Sequence, residues 1–472
     1  MRKDISRGPL SICQEIFRRP FFPFLLIGIV VFLTYSHTFS YAFHFDDEHH
    51  IVQNSDLRDL NSFGIGRRYM GELSFALNYH FGKLEVFGYH VVNVTIHVLN
   101  GFLVWGLAYL TLKTPAMAGA GGLARHKEWI ALASALLFVA HPIQTQAVTY
   151  IVQRYTSLAT LFYLLSLVMY LQARLLNQRR ETSGPRRVPS GLCYLVALLS
   201  AVLAMITKEI SFTLPVILVL YELLFWGSFL RKSRAVDWKR LAGLVPFLGT
   251  LAIIPWALLR EADKSPGDMI GGLGALSQET EAISRGDYLL TQFRVLVTYL
   301  RLLFLPVNQN LDYDYPISRS FDFPVVFSLL LLSLILGMAV YLLSLSRQPG
   351  RSGLRVLAFG VFWFFITLSV ESSVIPIRDV IYEHRLYLPS VGVVLSFVGG
   401  VFYLFDYLKW KWTPLQATCL FLLVTVIPLG LATYNRNLVW KDDETLWEDV
   451  VKKSPYKGRG YMYLGGLYSA QG

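Results

Sequence analysis

Apolar stretches poor in charge recur from one end of the chain to the other, each close to the length of about 20 residues that a helix needs to cross a bilayer. The pattern predicts spans near 21–39, 89–112, 129–148, 155–173, 191–207, 210–228, 241–259, 324–345, 354–371, 386–405 and 413–432. The stretch 289–305 is also apolar, but Arg294 and Arg301 interrupt it, so it is expected to lie flat or re-enter. The first run is too long, and too poor in small residues at its end, for a cleaved signal peptide; it reads as a retained helix. Two long polar intervals remain, a first loop at 40–88 and a loop region at 260–323. The first holds an amphipathic segment, LSFALNYHFGKLEVFGYH, expected to form a helix lying at the membrane interface. The second opens with the Gly- and Ser-rich segment 260–285, which reads as a mobile loop.

Composition agrees with an all-α polytopic membrane protein. Of 472 residues, 54% are hydrophobic and only 16% charged, against roughly 25% charged in a soluble protein. So few charges could not cover that much apolar surface, which excludes a soluble enzyme, a disordered chain and a small secreted scaffold. The net charge of +11 comes from short basic loops, from Arg2 to Arg19, Lys113 to Lys127, Arg174 to Arg187, Arg231 to Arg240 and Arg347 to Arg355, with Lys409 and Lys411. The positive-inside rule accounts for them better than a nucleic-acid partner does. If 289–305 does not cross, every basic loop falls in the cytoplasm. That gives 11 spans, an N-terminus inside and a C-terminus outside. Cys13, Cys193 and Cys419 lie far apart and read as small buried apolar residues.

Ionisable groups then gather on the outer side. Asp46, Asp47 and Glu48 follow the first span by a few residues, where neighbouring carboxylates repel and raise one another's pKa. Such a pair suits a general base or a divalent metal site. Arg154, Lys208, Glu209, Glu371, Glu383, His384 and Arg385 all fall at the outer ends of later spans. Charges at membrane depth are costly and usually functional. Arg154, Lys208 and Arg385 would form a cationic pocket for a lipid phosphate, the arginines by a bidentate fork and the lysine as a point charge. In HVVNVTIH, His90, Asn93, Val94 and His97 share one helical face. With His141, these histidines read as hydrogen bonders between helices. No P-loop, GxGxxG, GxSxG or CxxC occurs, so nucleotide hydrolysis, redox and serine-hydrolase chemistry have no support in the sequence.

The tail, 437–472, is polar and helix-patterned, and its LGGLY (Leu464, Gly465, Tyr468) fits the L-G-x-x-Y core of a tetratricopeptide helix. A lone half-repeat cannot bury its apolar face, so the start of a repeat array is expected here. FDDEHHIVQN, GYHVVNVTIHVLN, HPIQTQAVTYIVQRYTSLATLFYLLSL, ITKEISFTLP, NLDYDYP, EHRLYLPS and WKDDETLWEDVVKKSP together cover nearly the whole chain. In them the chain resembles the transmembrane and tetratricopeptide-repeat O-mannosyltransferase-like family of GT-C membrane glycosyltransferases, with the look of a bacterial member.

The resemblance implies a GT-C domain over 1–436 and a lead-in with the first repeat helix over 437–472. It implies transfer of a mannose-like hexose from a polyprenyl-phosphate donor to a hydroxyl acceptor, such as protein Ser/Thr or a glycan, on the non-cytoplasmic face and with inversion. That face is the periplasm in a bacterium and the lumen of the endoplasmic reticulum in a eukaryote. The related protein O-mannosyltransferases carry Phe-Asp-Glu in the first outer loop with the Asp as base; here Phe45, Asp46 and Asp47 correspond. Asp46 is therefore the first candidate for the base and Asp47 the second. Arg385, then Lys208 and Arg154, are candidates for the donor phosphate, with Glu209, Glu383 and His384 in support. The resemblance implies no metal or other cofactor, although a divalent ion at Asp46 and Asp47 is an alternative. A flippase or transporter should show inverted repeats, which are not seen. A membrane-anchored repeat scaffold would not need the one-sided set of charges.

Overall fold

The computed structural model describes residues 21–60, 66–183, 189–226, 242–261, 280, 282–409 and 413–471. Cys13, the basic segments up to Arg19 and from Arg231 to Arg240, Arg186, Arg187, Lys411 and most of 260–285 lie outside them. Among the described residues the chain is helical, with no strand. All eleven predicted apolar segments are helices. They are α1 (Phe22–Tyr35, extended by a tighter turn to Ser40), α3 (Val86–Thr111), α4 (Lys127–Ala140), α5 (Arg154–Ser183), α6 (Ser190–Met205), α7 (Glu209–Trp226), α8 (Val245–Arg260), α10 (Phe323–Leu345), α11 (Leu354–Leu368), α12 (Glu383–Tyr407) and α13 (Leu415–Leu438). Between and after them come α2 (Tyr69–Gly82), α9 (Arg285–Phe304), α14 (Asp443–Lys453) and α15 (Gly458–Gln471).

Seven of these helices (α1, α3, α5, α7, α10, α12 and α13) are long and apolar enough to cross a membrane. An eighth span is possible if α4 is joined to Pro142–Val148, which follows it after a bend of 53°. The break has a local cause. His141 Nδ1 accepts the Ile143 N–H at 3.1 Å, Pro142 has no N–H to continue the helix, and Nε2 donates to Leu303 O at 3.0 Å. The helices α6, α8 and α11 are shorter. On α10, Phe327, Leu330, Leu334 and Val340 are exposed, an apolar surface that suits lipid contact rather than water.

The segment 289–305 is amphipathic. In α9, Tyr288, Thr291, Gln292, Val295, Tyr299 and Leu302 are buried. Arg294 donates instead to Ser318 Oγ at 2.8 Å and Arg301 to Val307 O at 3.0 Å. The segment 70–88 forms α2 and the start of α3, broken at Lys83, where φ is +54°. It leaves Leu77, Phe81, Leu84 and Phe87 exposed, as an interfacial segment should.

Polar groups inside the bundle join helices, as the spacing of HVVNVTIH suggested. His90 Nε2 bonds Tyr41 O at 3.0 Å, and Asn93 Nδ2 donates to Val148 O and Ile151 O at 3.1 and 3.2 Å. His97 Nε2 donates to Val139 O, which leaves Nδ1 to accept from the Tyr387 hydroxyl at 2.7 Å. Helices α11 and α12 approach closely because Gly360 and Gly392 face each other; a methyl group at either would run into the other's carbonyl oxygen. At one end of the bundle a second apolar core gathers Tyr41, Ile51, Tyr89, Tyr150, Trp440 and Trp447. It binds the first loop and the C-terminal helices to the ends of α3 and α5. Cys193 is buried as expected, whereas Cys419, on the surface of α13, is exposed; neither is in a disulfide.

Candidate active site

The loop between α1 and α2, the junction of α6 with α7, and the segment between α11 and α12 meet at that same end. They enclose a cavity of about 570 Å³, within the usual range for small-molecule sites. Asp46, His50, Lys208, Glu209, Glu371, Tyr382, His384 and Arg385 line one part of it, together with Arg67 and Arg68. Phe212, Ile254, Pro255, Leu258, Ile375 and Ile377 form an apolar wall. The cavity is therefore lined by both charged and apolar side chains, as an amphiphilic ligand requires.

The adjacent carboxylates Asp46 and Asp47 turn different ways. Asp47 is fully buried and lies outside the cavity: Oδ2 accepts the His44 N–H at 3.0 Å and Oδ1 the Val152 N–H at 2.6 Å. Its pKa is pushed up to about 7, by burial first and only least by Asp46. Mutual repulsion is thus a minor cause, and Asp47 reads as a staple between the first loop and the start of α5 rather than as a second base. Asp46 faces the cavity, with its backbone N–H donating to the Tyr150 hydroxyl at 2.9 Å. Burial raises the Asp46 carboxyl above the ordinary carboxylate value, against lowering contributions from Tyr150, His50 and Arg459, while Asp379 adds to the rise. Glu48 is exposed and accepts from Gln53 Nε2 at 3.0 Å.

Four cations line the cavity, and carboxylates hold three of them. Arg67 and Arg68 reach Glu209 at 3.1 and 3.4 Å. Lys208 Nζ pairs with Glu371 at 3.3 Å and donates to Thr156 Oγ1 at 2.8 Å. Burial pulls its ammonium below the usual lysine range, opposed by Glu371. Arg385 is different. It donates to the carbonyls of Asp379 and Val380 at 2.8 and 3.2 Å, and among the described residues no carboxylate pairs with it. His384 stacks on Tyr382, and its buried Nδ1 has no partner among the described residues. Among the described residues, Asp46 and Arg385 are then the carboxylate and the cation on this cavity that make no ion pair.

Two further residues do not join this group. Arg154 is fully buried and lies outside the cavity. Its guanidinium donates to Asn93 Oδ1 and Asn78 Oδ1 at 2.6 Å each, to Tyr89 O at 3.0 Å and to Ser74 O at 3.2 Å. It ties α5 to α2 and α3 instead of facing a phosphate. Glu383 supports no cavity cation either. It accepts from Gln309 Nε2, the Asn310 N–H and the Tyr313 hydroxyl, at 2.7, 2.7 and 2.5 Å, and so anchors the NLDYDYP loop. Glu209 holds Arg67 and Arg68 rather than Lys208, whose partner is Glu371. At the Asp pair, both Asp47 oxygens accept backbone N–H groups and only Asp46 lines the cavity. Among the described residues, no three His, Cys, Asp or Glu side chains gather as a ligand set.

Arg67 and Arg68 escaped the sequence reading, though a signal was present. Paired arginines in a loop assigned to the outside run against the positive-inside rule, which marks them as held for a reason. Asp312, Asp379, Lys457 and Arg459, an ion cluster behind Tyr382, carried no such signal.

No family model matches the chain. Protein O-mannosyl-transferase Tmtc3 of Drosophila melanogaster is 24% identical over 96% of this chain and 54% of its own length. Protein O-mannosyl-transferase TMTC4 of Mus musculus is also 24% identical, over 96% of this chain and 65% of its own. The chain thus spans between half and two thirds of these relatives. Among solved structures, ArnT from Cupriavidus metallidurans bound to undecaprenyl phosphate aligns with 94% of this chain and 75% of that one, at 12% identity and a TM-score of 0.44. The similarity to the O-mannosyl-transferases is the one that the sequence motifs indicated. Together with the apolar helices, it makes this an integral, multi-pass membrane protein.

Proposed function

We propose that this chain is a GT-C-type glycosyltransferase with eleven spans. In this reading it transfers a mannose-like hexose from a polyprenyl-phosphate donor to a hydroxyl acceptor, in first place protein Ser/Thr, on the non-cytoplasmic face. The observation that carries the reading is the pairing of an unpaired Asp46 and an unpaired Arg385 on one cavity with an apolar wall. The names of the relatives support the class of reaction.

The prenyl chain lies along Phe212, Ile254 and Leu258, and its phosphate meets Arg385 and Lys208. Asp46, with a carboxyl raised by burial, takes the proton of the acceptor hydroxyl. The freed oxygen electron pair attacks the anomeric carbon from the side opposite the phosphate, so configuration inverts. The bond from that carbon to the phosphate oxygen breaks, and the departing charge settles on the phosphate, where the cations stabilise it. In this reading His384 Nδ1, which has no partner among the described residues, bonds a sugar hydroxyl.

Asp46→Asn tests the assignment, because it keeps the size of the side chain and removes the base. With polyprenyl-phosphate mannose and a Ser/Thr peptide as probes, transfer should fall by about 100-fold or more while the lipid still binds. Transfer at the unmutated rate would remove Asp46 as the base. The same assay with a chelator should show full activity; loss that added divalent ions restore would require a metal-dependent mechanism.

A further inference from the structure

The first loop does not hold Asp46 alone. Phe45, the residue before it, sits at φ +47°, a left-handed conformation that a bulky side chain adopts only when its surroundings impose it. Those surroundings come from the C-terminal helices. The Phe45 ring meets Trp447 of α14 edge-on at 5.6 Å and Tyr463 of α15 at 5.8 Å. These two rings stack on each other at 4.2 Å and 2°. The Arg459 guanidinium of α15 lies 5.3 Å from the Phe45 ring. On the other side of Phe45, His44 is gripped by the same region: Nδ1 bonds Asp443 at 2.6 Å and Nε2 bonds Trp440 O at 2.8 Å.

A second line of contacts reaches the cavity from behind. Arg459 pairs with Asp379 at 3.3 Å and with Asp312 at 3.4 Å. Lys457 also bridges Asp312 and Asp379. Asp379 Oδ2 accepts from the Tyr382 hydroxyl at 3.0 Å, and Tyr382 lines the cavity. The helix pair thus touches the residue before Asp46 and, through Asp379, reaches Tyr382 on the cavity wall.

We propose that the α14–α15 helix pair is a working part of the transfer site, with Phe45 and Arg459 as positioning residues that aim Asp46. Displacing the pair therefore changes turnover more than donor binding, because among the described residues Arg385 and Lys208 make no ion pair with it. The inference rests on Asp46 being the base. The groups that act electrostatically on Asp46 come from every element around it: His50 and Asp47 from its own loop, Tyr150 ahead of α5, Asp379 and Tyr382 ahead of α12, and Arg459 and Tyr463 from α15. Arg459 is the cation from α15 among them, and it lowers the Asp46 carboxyl. Removing it raises that carboxyl further. A base works only when deprotonated, so the acid limb of kcat must move to higher pH.

The test uses the full chain in detergent with polyprenyl-phosphate mannose and a Ser/Thr peptide, and a thermal scan of each variant to confirm folding. Arg459→Gln should move the acid limb upward by about half a unit or more, and Arg459→Lys should return it. Phe45→Ala should lower kcat about tenfold with donor KM within about twofold, and Phe45→Tyr should restore kcat. If Phe45→Ala fails to fold, the Arg459→Gln and Arg459→Lys pair decides alone. An unmoved limb and unchanged kcat in these variants, with Asp46→Asn inactive, would overturn this inference and leave the base assignment standing. An active Asp46→Asn would remove both.

Discussion

Replacing Arg154 by alanine should loosen the end of the bundle that carries the site, not weaken the grip on a lipid phosphate. The guanidinium is fully buried, lies 4.4 Å from the Phe75 ring and makes hydrogen bonds to Asn93, Asn78, Tyr89 and Ser74. A hydrogen bond to a charged group contributes about 1.5–3 kcal/mol. These bonds do not simply add, because burying the cation itself costs free energy that they must offset. Truncation also leaves two amide oxygens and two carbonyls with an unmet partner, each at about 1–3 kcal/mol unless water enters. A net loss on the order of 3 kcal/mol is expected, because the cost of the unmet acceptors is partly offset by no longer burying the cation. Arg154→Lys should fall between, since one ammonium cannot span acceptors on both α2 and α3. The assay is thermal unfolding in detergent alongside binding of a fluorescent polyprenyl phosphate. The midpoint should drop by several degrees, while affinity in the folded protein stays within about twofold of the unmutated value. An unchanged midpoint with a tenfold or greater loss of affinity would refute the structural role and return Arg154 to the phosphate site.

Arg385 should behave in the opposite way. Arg385→Ala should weaken binding of the same lipid about tenfold or more with a smaller change in melting, and Arg385→Lys should restore part of it, because an ammonium cannot fork onto two phosphate oxygens. The pH profile of the unmutated protein gives a further check. Burial raises the Asp46 carboxyl, so kcat should begin to fall at a pH above the ordinary carboxylate value as acid protonates the base, about tenfold per unit beyond it. A profile flat down to the ordinary carboxylate range would contradict that role.

Much of this architecture was legible in the sequence, because apolar periodicity reports directly on regular segments in lipid. The eleven apolar runs are helices, and the arginine-interrupted run at 289–305 is an amphipathic α9. Lys208 and Arg385 were legible for a related reason: a charge at the end of an apolar run is conspicuous. The irregular segments were less so. Nothing in FDDEHH tells which of two adjacent aspartates turns inward; the Val152 N–H, about a hundred residues on, decides it for Asp47. Arg154 had the same signature as Arg385, and the acceptors that α2 and α3 bring to it, Asn78 and Asn93 among them, convert it into a strut. The pairing of Glu209 with Arg67 and Arg68 depends on how the first loop folds back over α7. Spacing along one helix cannot show contacts of that kind.

The central claim is that a polyprenyl-phosphate sugar sits in this cavity between Asp46 and Arg385. A density map of the Asp46→Asn protein, which should bind the donor without consuming it, tests this most directly when prepared with polyprenyl-phosphate mannose. Phosphate density is expected against Arg385 and Lys208, with the prenyl chain along Phe212, Ile254 and Leu258 and the anomeric carbon facing position 46. Phosphate density away from Arg385, or a lipid bound only outside the cavity, would contradict it.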